Sequence, residues 1–249
     1  MTKTSRIPSQ KIKTNQLDGH VYLITGASGS LGKAICLALA QHGATTILTG
    51  RNDKKLNALY DEVETSGYPL PAIIPFDLEQ TDDDIYQQLI NSIFNEFKRL
   101  DGVINAACDI GIIGPIGSQA GTSWHKTLQV NLNAAAMLSK ACLPLLQRSE
   151  NASITFISDS SARQSKAYWG AYGVSKVAIE SFSRTLADEL DSTSVVSNVF
   201  IPGPYLSAIR KKTHPGEETS TLMSAKQVAK ELLQVVLSKE SGQVFSLID

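Results

Sequence analysis

Apolar residues along this chain follow two rhythms. Short runs rich in β-branched and aliphatic residues recur at 21–25, 45–49, 72–76, 102–105, 153–158, 195–201 and 244–247, and runs of that length bounded by polar or glycine-rich segments predict seven strands. Between them apolar positions return every three or four residues, which predicts helices at 31–42, 53–66, from Thr81 onward, from Thr122 or Ser123 to about 147, at 171–190 and at 225–238. Gly43 suits a left-handed cap behind the first helix. Thr81 with Asp84 three residues later resembles a capping box, with acids at the positive end of the helix dipole. Strands alternating with helices are the mark of βαβ units, so the expected class is α/β with a buried parallel sheet and helices on both of its faces.

Composition narrows this picture. With 249 residues, 42% of them hydrophobic, the chain can bury one large core, and no repeat, low-complexity tract or linker divides it. A net charge of -1 and a pI near 6.4 leave no basic excess for nucleic acid or an anionic membrane surface. The longest apolar runs, 35–40 and 195–201, fall far short of the ~20 residues of a membrane helix. Residues 1–18 carry Lys3, Arg6, Lys11 and Lys13 with no apolar stretch after them. They read as a flexible N-terminal arm rather than a secretory signal, leaving 19–249 as the folded domain. Cys36, Cys108 and Cys142 are odd in number and lack ligand spacing, which fits reduced thiols in a cytoplasm. The four histidines offer no metal spacing, and no metal is expected.

The first strand runs straight into Thr25-Gly26-Ala27-Ser28-Gly29-Ser30-Leu31-Gly32 and then into a helix. Such a turn lets the backbone approach a pyrophosphate, while the helix N-terminus presents unpaired N–H groups and partial positive charge. A single Rossmann-type domain that binds a dinucleotide is the fold this implies. An NAD-preferring site places an acid after the second strand to hold the ribose 2′-hydroxyl. Here the strand is followed by Gly50, Arg51 and Asn52, and a guanidinium suits a 2′-phosphate. NADP(H) is therefore expected over NAD(H), with a solvated Arg51 paired to Asp53 as the plainer alternative.

Tyr172 and Lys176 are four residues apart in a helical stretch and share one face. A phenol needs help to work near neutral pH, and an adjacent ammonium stabilises the phenolate. Together, the glycine turn and this Tyr-x-x-Ser-Lys run resemble the short-chain dehydrogenase/reductase family over nearly the whole chain from about Leu17. Arg163-Gln164 with Trp169-Gly170-Ala171-Tyr172 looks most similar to an uncharacterised bacterial oxidoreductase subgroup within it. The resemblance implies that Tyr172 is the general acid/base, that Lys176 also holds the nicotinamide ribose and that Asn131 completes a proton relay. It implies cofactor contacts from Gly26, Ser28, Ser30, Leu31, Gly32, Arg51, Asp77, Leu78, Asn105, Pro202 and Gly203. Ser207 matches the end of a segment that closes over the nicotinamide. The resemblance further implies a small carbonyl or alcohol substrate and a homodimer or homotetramer paired through segments at 133–136 and 177–181.

Three positions depart from the family's pattern. Ser30 replaces the middle glycine of the turn, one place after Gly29. Asn105-Ala106-Ala107-Cys108 replaces Asn-Asn-Ala-Gly, and Cys108 reads as a small buried residue or as a redox-sensitive thiol. Asp159 stands thirteen residues before Tyr172, where the family has a hydroxyl donor. An ionised carboxylate cannot donate and repels a developing oxyanion. Ser160, or Ser158, is the expected substitute donor. Two readings follow: an NADP(H)-dependent oxidoreductase of a small carbonyl/alcohol pair, or a catalytically impaired dinucleotide-binding regulator or redox sensor. Trp169 is placed to wall a substrate pocket, and residues 204–221 carry nothing diagnostic of a substrate.

Overall fold

A computed structural model describes residues 3–248, so Met1, Thr2 and Asp249 of the arm and domain drawn above lie outside the described residues. Strands β1 (Val21–Thr25), β2 (Thr45–Leu48), β3 (Ala72–Ile73), β4 (Gly102–Asn105), β5 (Ala152–Ile157), β6 (Val195–Ile201) and β7 (Val244–Ser246) form one parallel sheet in the order β3-β2-β1-β4-β5-β6-β7. This is the expected single Rossmann-type α/β domain. β3 is shorter than expected, but Ile74 and Phe76 still donate backbone bonds to Leu48 and Gly50, so the extended path continues past the formal strand.

Strand alternation feeds two cores. On β1, Val21 and Leu23 enter a cluster with α3 (Asp83–Phe97), α5 (Ala134–Leu146) and α7 (Gly170–Glu189), while Tyr22 and Ile24 enter another with α1 (Ser30–Gln41), α2 (Asp53–Thr65) and α9 (Ala225–Val236). Each such side chain fully removed from water stabilises the fold by about 1.5–3 kcal/mol. At the amino edge of the sheet Asp101, with no exposed surface, accepts hydrogen bonds from Val21 N at 2.8 Å, Arg99 Nε at 2.8 Å and Ser149 Oγ at 2.7 Å. Burial pushes its carboxyl upward, but these donors hold it below its ordinary value.

Two helix expectations need correction. The third helix is capped by Asp82, whose side chain accepts from Asp84 N, and not by Thr81; the carboxylate one residue nearer the helix is the one within reach of that free N–H. The long fourth helix is two helices, α4 (Gly121–Leu128) and α5, joined by a π-helical turn over Gln129–Asn133. Such turns accumulate at functional sites. Two short helices also went unforeseen, α6 (Ser160–Arg163) and α8 (Ala208–Thr213).

The segment read as an arm is held in several places. Ser5 N donates to Val244 O at 2.8 Å, Gln10 and Gln234 exchange side-chain to backbone bonds, and Leu17 is buried. No helix among the described residues is long and apolar enough to cross a membrane, and none of their His, Cys, Asp and Glu side chains group in threes around a metal position.

Candidate active site

The strand order reverses between β1 and β4: β2 and β3 lie to one side of them, β5 to β7 to the other. The segments leaving the carboxyl ends of β1 and β4 therefore part, which opens a crevice. A cavity of about 520 Å³ occupies it, within the range of ligand sites.

One end is the glycine turn. Gly26 sits at φ +62°, and a Cβ there would lie 2.7 Å from Ala107 Cα, so only glycine lets the β4 loop close on the turn. Gly29 caps α1 without a side-chain hydrogen bond, and the first turn of the helix carries no acid. Its N–H groups thus face the cavity beside Ser28, Ser30, Leu31 and Gly32, an arrangement suited to a diphosphate. Ser30 is the first helical residue and is not at positive φ, so replacing glycine there carries no backbone cost.

Arg51 lines the same cavity past the tip of β2. Its ion-pair partner is Glu79, and not Asp53; Lys126 shares that carboxylate at 2.6 Å. Hydrogen bonding from Lys126, with the charge of Arg51, holds Glu79 below its ordinary value. Because Lys126 also holds Glu79, the Arg51 guanidinium can turn to an anion at this mouth without leaving that carboxylate unpaired. Asp77 and Leu78 line the neighbouring wall, Asp77 Oδ1 accepting from Glu79 N at 3.0 Å.

The other end holds Tyr172 and Lys176 on α7, both buried and both on the cavity wall. Lys176 Nζ donates to Ile157 O at 2.8 Å and lies 5.6 Å from the centre of the Tyr172 ring. Tyr172 OH donates to Asp159 Oδ2 at 2.8 Å. Burial drives the phenol well above its ordinary 10.0, and Cys108 and Asp159 add to the rise. The expected downward tuning by lysine is thus outweighed, and the phenol keeps its proton.

Asp159 caps α6, its Oδ1 accepting from Ser161 N at 2.8 Å while Oδ2 faces the phenol. Ser160, expected as the substitute donor, does not line the cavity, because starting α6 turns it away from Tyr172. Ser158 lies at the wall, but its Oγ bonds back to Glu180 Oε1 at 2.6 Å. Glu180, one turn beyond Lys176, also receives Arg163 Nη2 at 2.8 Å, fastening α6 onto α7 beneath the site.

Asn131 and Asn105 stand behind the wall rather than in it. The Asn131 amide accepts from Asp109 N at 2.7 Å and donates to Asp109 O at 2.8 Å and Ser175 Oγ at 3.1 Å, fixing the β4 loop to α7. Asn105 Nδ2 reaches Ser139 Oγ at 3.4 Å, and its buried Oδ1 has no partner among the described residues. Cys108 lines the cavity beside Tyr172, and burial raises its thiol.

Pro202 and Gly203 follow β6 at the cavity floor; Gly203 is at φ +63°, with Ile248 where a Cβ would fall. Trp169 packs its ring against Tyr172, tilted by 41° with centroids 5.4 Å apart, and closes the substrate end. Among the wall residues that escaped the sequence reading are Tyr205, Arg210 and Asp109. Burial pushes the Tyr205 phenol up to about 12. Arg210 Nε pairs with Glu217 Oε2 at 2.6 Å, and Ser207 Oγ caps the Arg210 N–H. Ser207 ahead of Arg210-Lys211-Lys212 was the available signal, a cap residue before a basic last turn.

Known proteins show the same arrangement of chain. A sequence model of the family described as short chain dehydrogenase matches residues 20–218. The uncharacterized oxidoreductase YciK of Escherichia coli K12 is 37% identical over 210 residues, covering 84% of this chain and 83% of that protein. A short chain dehydrogenase structure from Salmonella enterica superposes with a TM-score of 0.92 at 33% identity, covering 96% of this chain and 100% of the other. A short chain dehydrogenase from Escherichia coli CFT073, solved with NADPH, gives 0.90 at 33% identity over 95% and 100% of the two chains.

Proposed function

The chain belongs to the short chain dehydrogenase family, and on that premise we propose that it is an NADP(H)-dependent oxidoreductase working in the direction of reduction, with Tyr172 as the proton donor to a small carbonyl-type substrate. The observation that carries this reading is that a single cavity joins the glycine turn and Arg51 at one end to Tyr172 and Lys176 at the other. The NADPH held by the relative from Escherichia coli CFT073 supports the choice of cofactor. When bound, the nicotinamide supplies a hydride to the substrate.

The chain's own residues do the rest. The α1 N-terminus and the Gly26 approach receive the diphosphate, and Arg51 receives the 2′-phosphate as a charge-assisted partner. Tyr172, kept protonated by burial and by its carboxylate neighbour, is the hydroxyl placed to give a proton to a substrate atom that turns strongly basic as the hydride arrives. Asp159 orients the phenol, and Lys176, fixed to Ile157 O, holds its ammonium beside the ring. Trp169 and Tyr205 narrow the substrate end. Assembly as a homodimer or homotetramer in a cytoplasm belongs to the same reading; Val174 and Val177 on α7 are half-exposed in the single chain.

The test is loss of NADPH absorbance against a panel of aldehydes, ketones and imines. Tyr172→Phe is expected to abolish turnover while leaving NADPH binding intact, and turnover unchanged by that substitution would refute the mechanism. Asp159 beside the phenol motivates the second reading, a dinucleotide-binding protein without turnover. Tight NADPH binding with no activity on any panel member would favour it. The thiol-based version lacks support, because a thiol raised by burial stays protonated.

A further inference from the structure

The least ordinary feature of the site is the sign of its charge. A hydride acceptor seated against Tyr172 meets the Asp159 carboxylate, which already accepts the phenol proton at 2.8 Å. Among the described residues no cation forms an ion pair with Asp159; Lys176 donates to a carbonyl, and Arg210 is engaged by Glu217. Asp109 also lines this end, its Oδ2 accepting from the Thr127 hydroxyl at 2.7 Å. Arg210 also feels the Asp159 charge but is hydrogen-bonded by Glu217, so three carboxylates, Asp109, Asp159 and Glu217, stand against two cations, Lys176 and Arg210.

Resting on the reductase reading above, we infer that Asp159 selects a protonated imine (C=N⁺–H) over a ketone or aldehyde as the substrate reduced. Reduction of a ketone places a developing alkoxide next to this carboxylate, a repulsion that a dry site magnifies. An iminium reverses the sign. Its carbon accepts a hydride from NADPH, the C=N pair becomes the nitrogen lone pair, and the positive charge passes from substrate to oxidised nicotinamide. The imine is reduced, NADPH is oxidised, and no anion forms. The imine nitrogen takes its proton from solvent, relayed through the Tyr172 hydroxyl, before hydride transfer, so the phenol is again protonated when the hydride moves, and Asp159 favours the cation that results. The apolar wall of Trp169 and Tyr205 suits a cyclic imine, whose ring stacks on aromatic faces.

Two measurements test this, one of them independent of turnover. By calorimetry, with and without NADPH, the wild-type protein should bind 1-methyl-1,2,3,4-tetrahydroisoquinoline, a cation at neutral pH, about tenfold or more tighter than the neutral 1,2,3,4-tetrahydro-1-naphthol of the same shape. Asp159→Asn should abolish that preference, and equal binding of the two by the wild type would overturn the inference. In turnover with NADPH, 1-methyl-3,4-dihydroisoquinoline should exceed 1-tetralone in kcat/KM, with Asp159→Ser moving the ratio toward the ketone; a wild type faster on the ketone would overturn it as well. Asn and Ser both retain a side-chain oxygen to cap α6, and thermal melts check that the variants fold. Absence of NADPH binding, or NADPH binding without any turnover, would instead count against the reductase reading.

Discussion

A methyl group on Gly32 probes the cradle most directly. The ideal Cβ would lie 2.2 Å from Gly26 O and 2.8 Å from Gly26 C, whereas ordinary contact begins near 3.4 Å, so α1 and the turn must part by more than an ångström. Both obstacles are backbone, and no flexible side chain can move aside. Alanine improves helix propensity by about 1 kcal/mol, but overpacking against fixed backbone outweighs it, for a net loss of about 2 kcal/mol. At this chain length the loss corresponds to a fall in Tm of roughly 4–8 °C. The same displacement pulls the first N–H groups of α1 off the phosphate position, which should weaken NADPH about tenfold or more. Gly173→Ala is the control: its Cβ would meet Trp169 Cβ at 3.4 Å, and a helix-interior alanine there should be neutral or stabilise by about 0.5–1 kcal/mol. Thermal melts and fluorescence titration with NADPH read both effects. A Gly32→Ala protein that melts and binds like the wild type would show that the close packing of turn and helix is not what shapes the site.

Three further outcomes follow from the same structure. Arg51→Ala should lower the preference for NADPH over NADH about tenfold, the loss of one charge-assisted contact, with little change in Tm because the side chain is exposed; an unchanged ratio in competition binding would remove Arg51 from the phosphate site. Asp101→Ala should cost about 3 kcal/mol in urea unfolding, since it leaves Val21 N and the Ser149 hydroxyl without their buried acceptor. Because the Asp101 carboxyl is held below its ordinary 3.8, its contribution is present above that pH and lost as the pH falls through the folded value; acid unfolding curves of wild type and Asp101→Ala should therefore converge in that range. Burial raises the Cys36 thiol from 9.0 to about 12, so the stability this thiol confers is full below pH 9.0 and erodes as the pH climbs toward the folded value, by about 1.4 kcal/mol per pH unit. Cys36→Ser, which does not titrate there, should unfold with a shallower alkaline slope, and identical slopes would refute the assignment.

Much of this molecule was decided locally, and local features are what a sequence displays. Seven strands and the main helices follow from the spacing of apolar residues, because burying one face of an element demands that spacing whatever its partners are. The Gly26–Gly32 turn and the Tyr172–Lys176 pair were legible for the same reason: strand-turn-helix geometry and the four-residue helical repeat fix their side chains relative to one another. Direction across the fold was not legible. Whether Arg51 meets Asp53 or Glu79, whether Ser160 or Asp159 faces Tyr172, and whether Asn131 points into the cavity or ties down Asp109 depend on where separate elements stop and how they pack. Such contacts join residues distant in the chain, and a turn that ends one residue earlier exchanges the side chain that looks inward. The sequence already set the Asp159 carboxylate at the donor position before Tyr172; only the tertiary structure showed that its Oδ2 takes the phenol hydrogen bond and that burial is the largest cause of the raised pKa, because desolvation acts through space and leaves no period in the sequence.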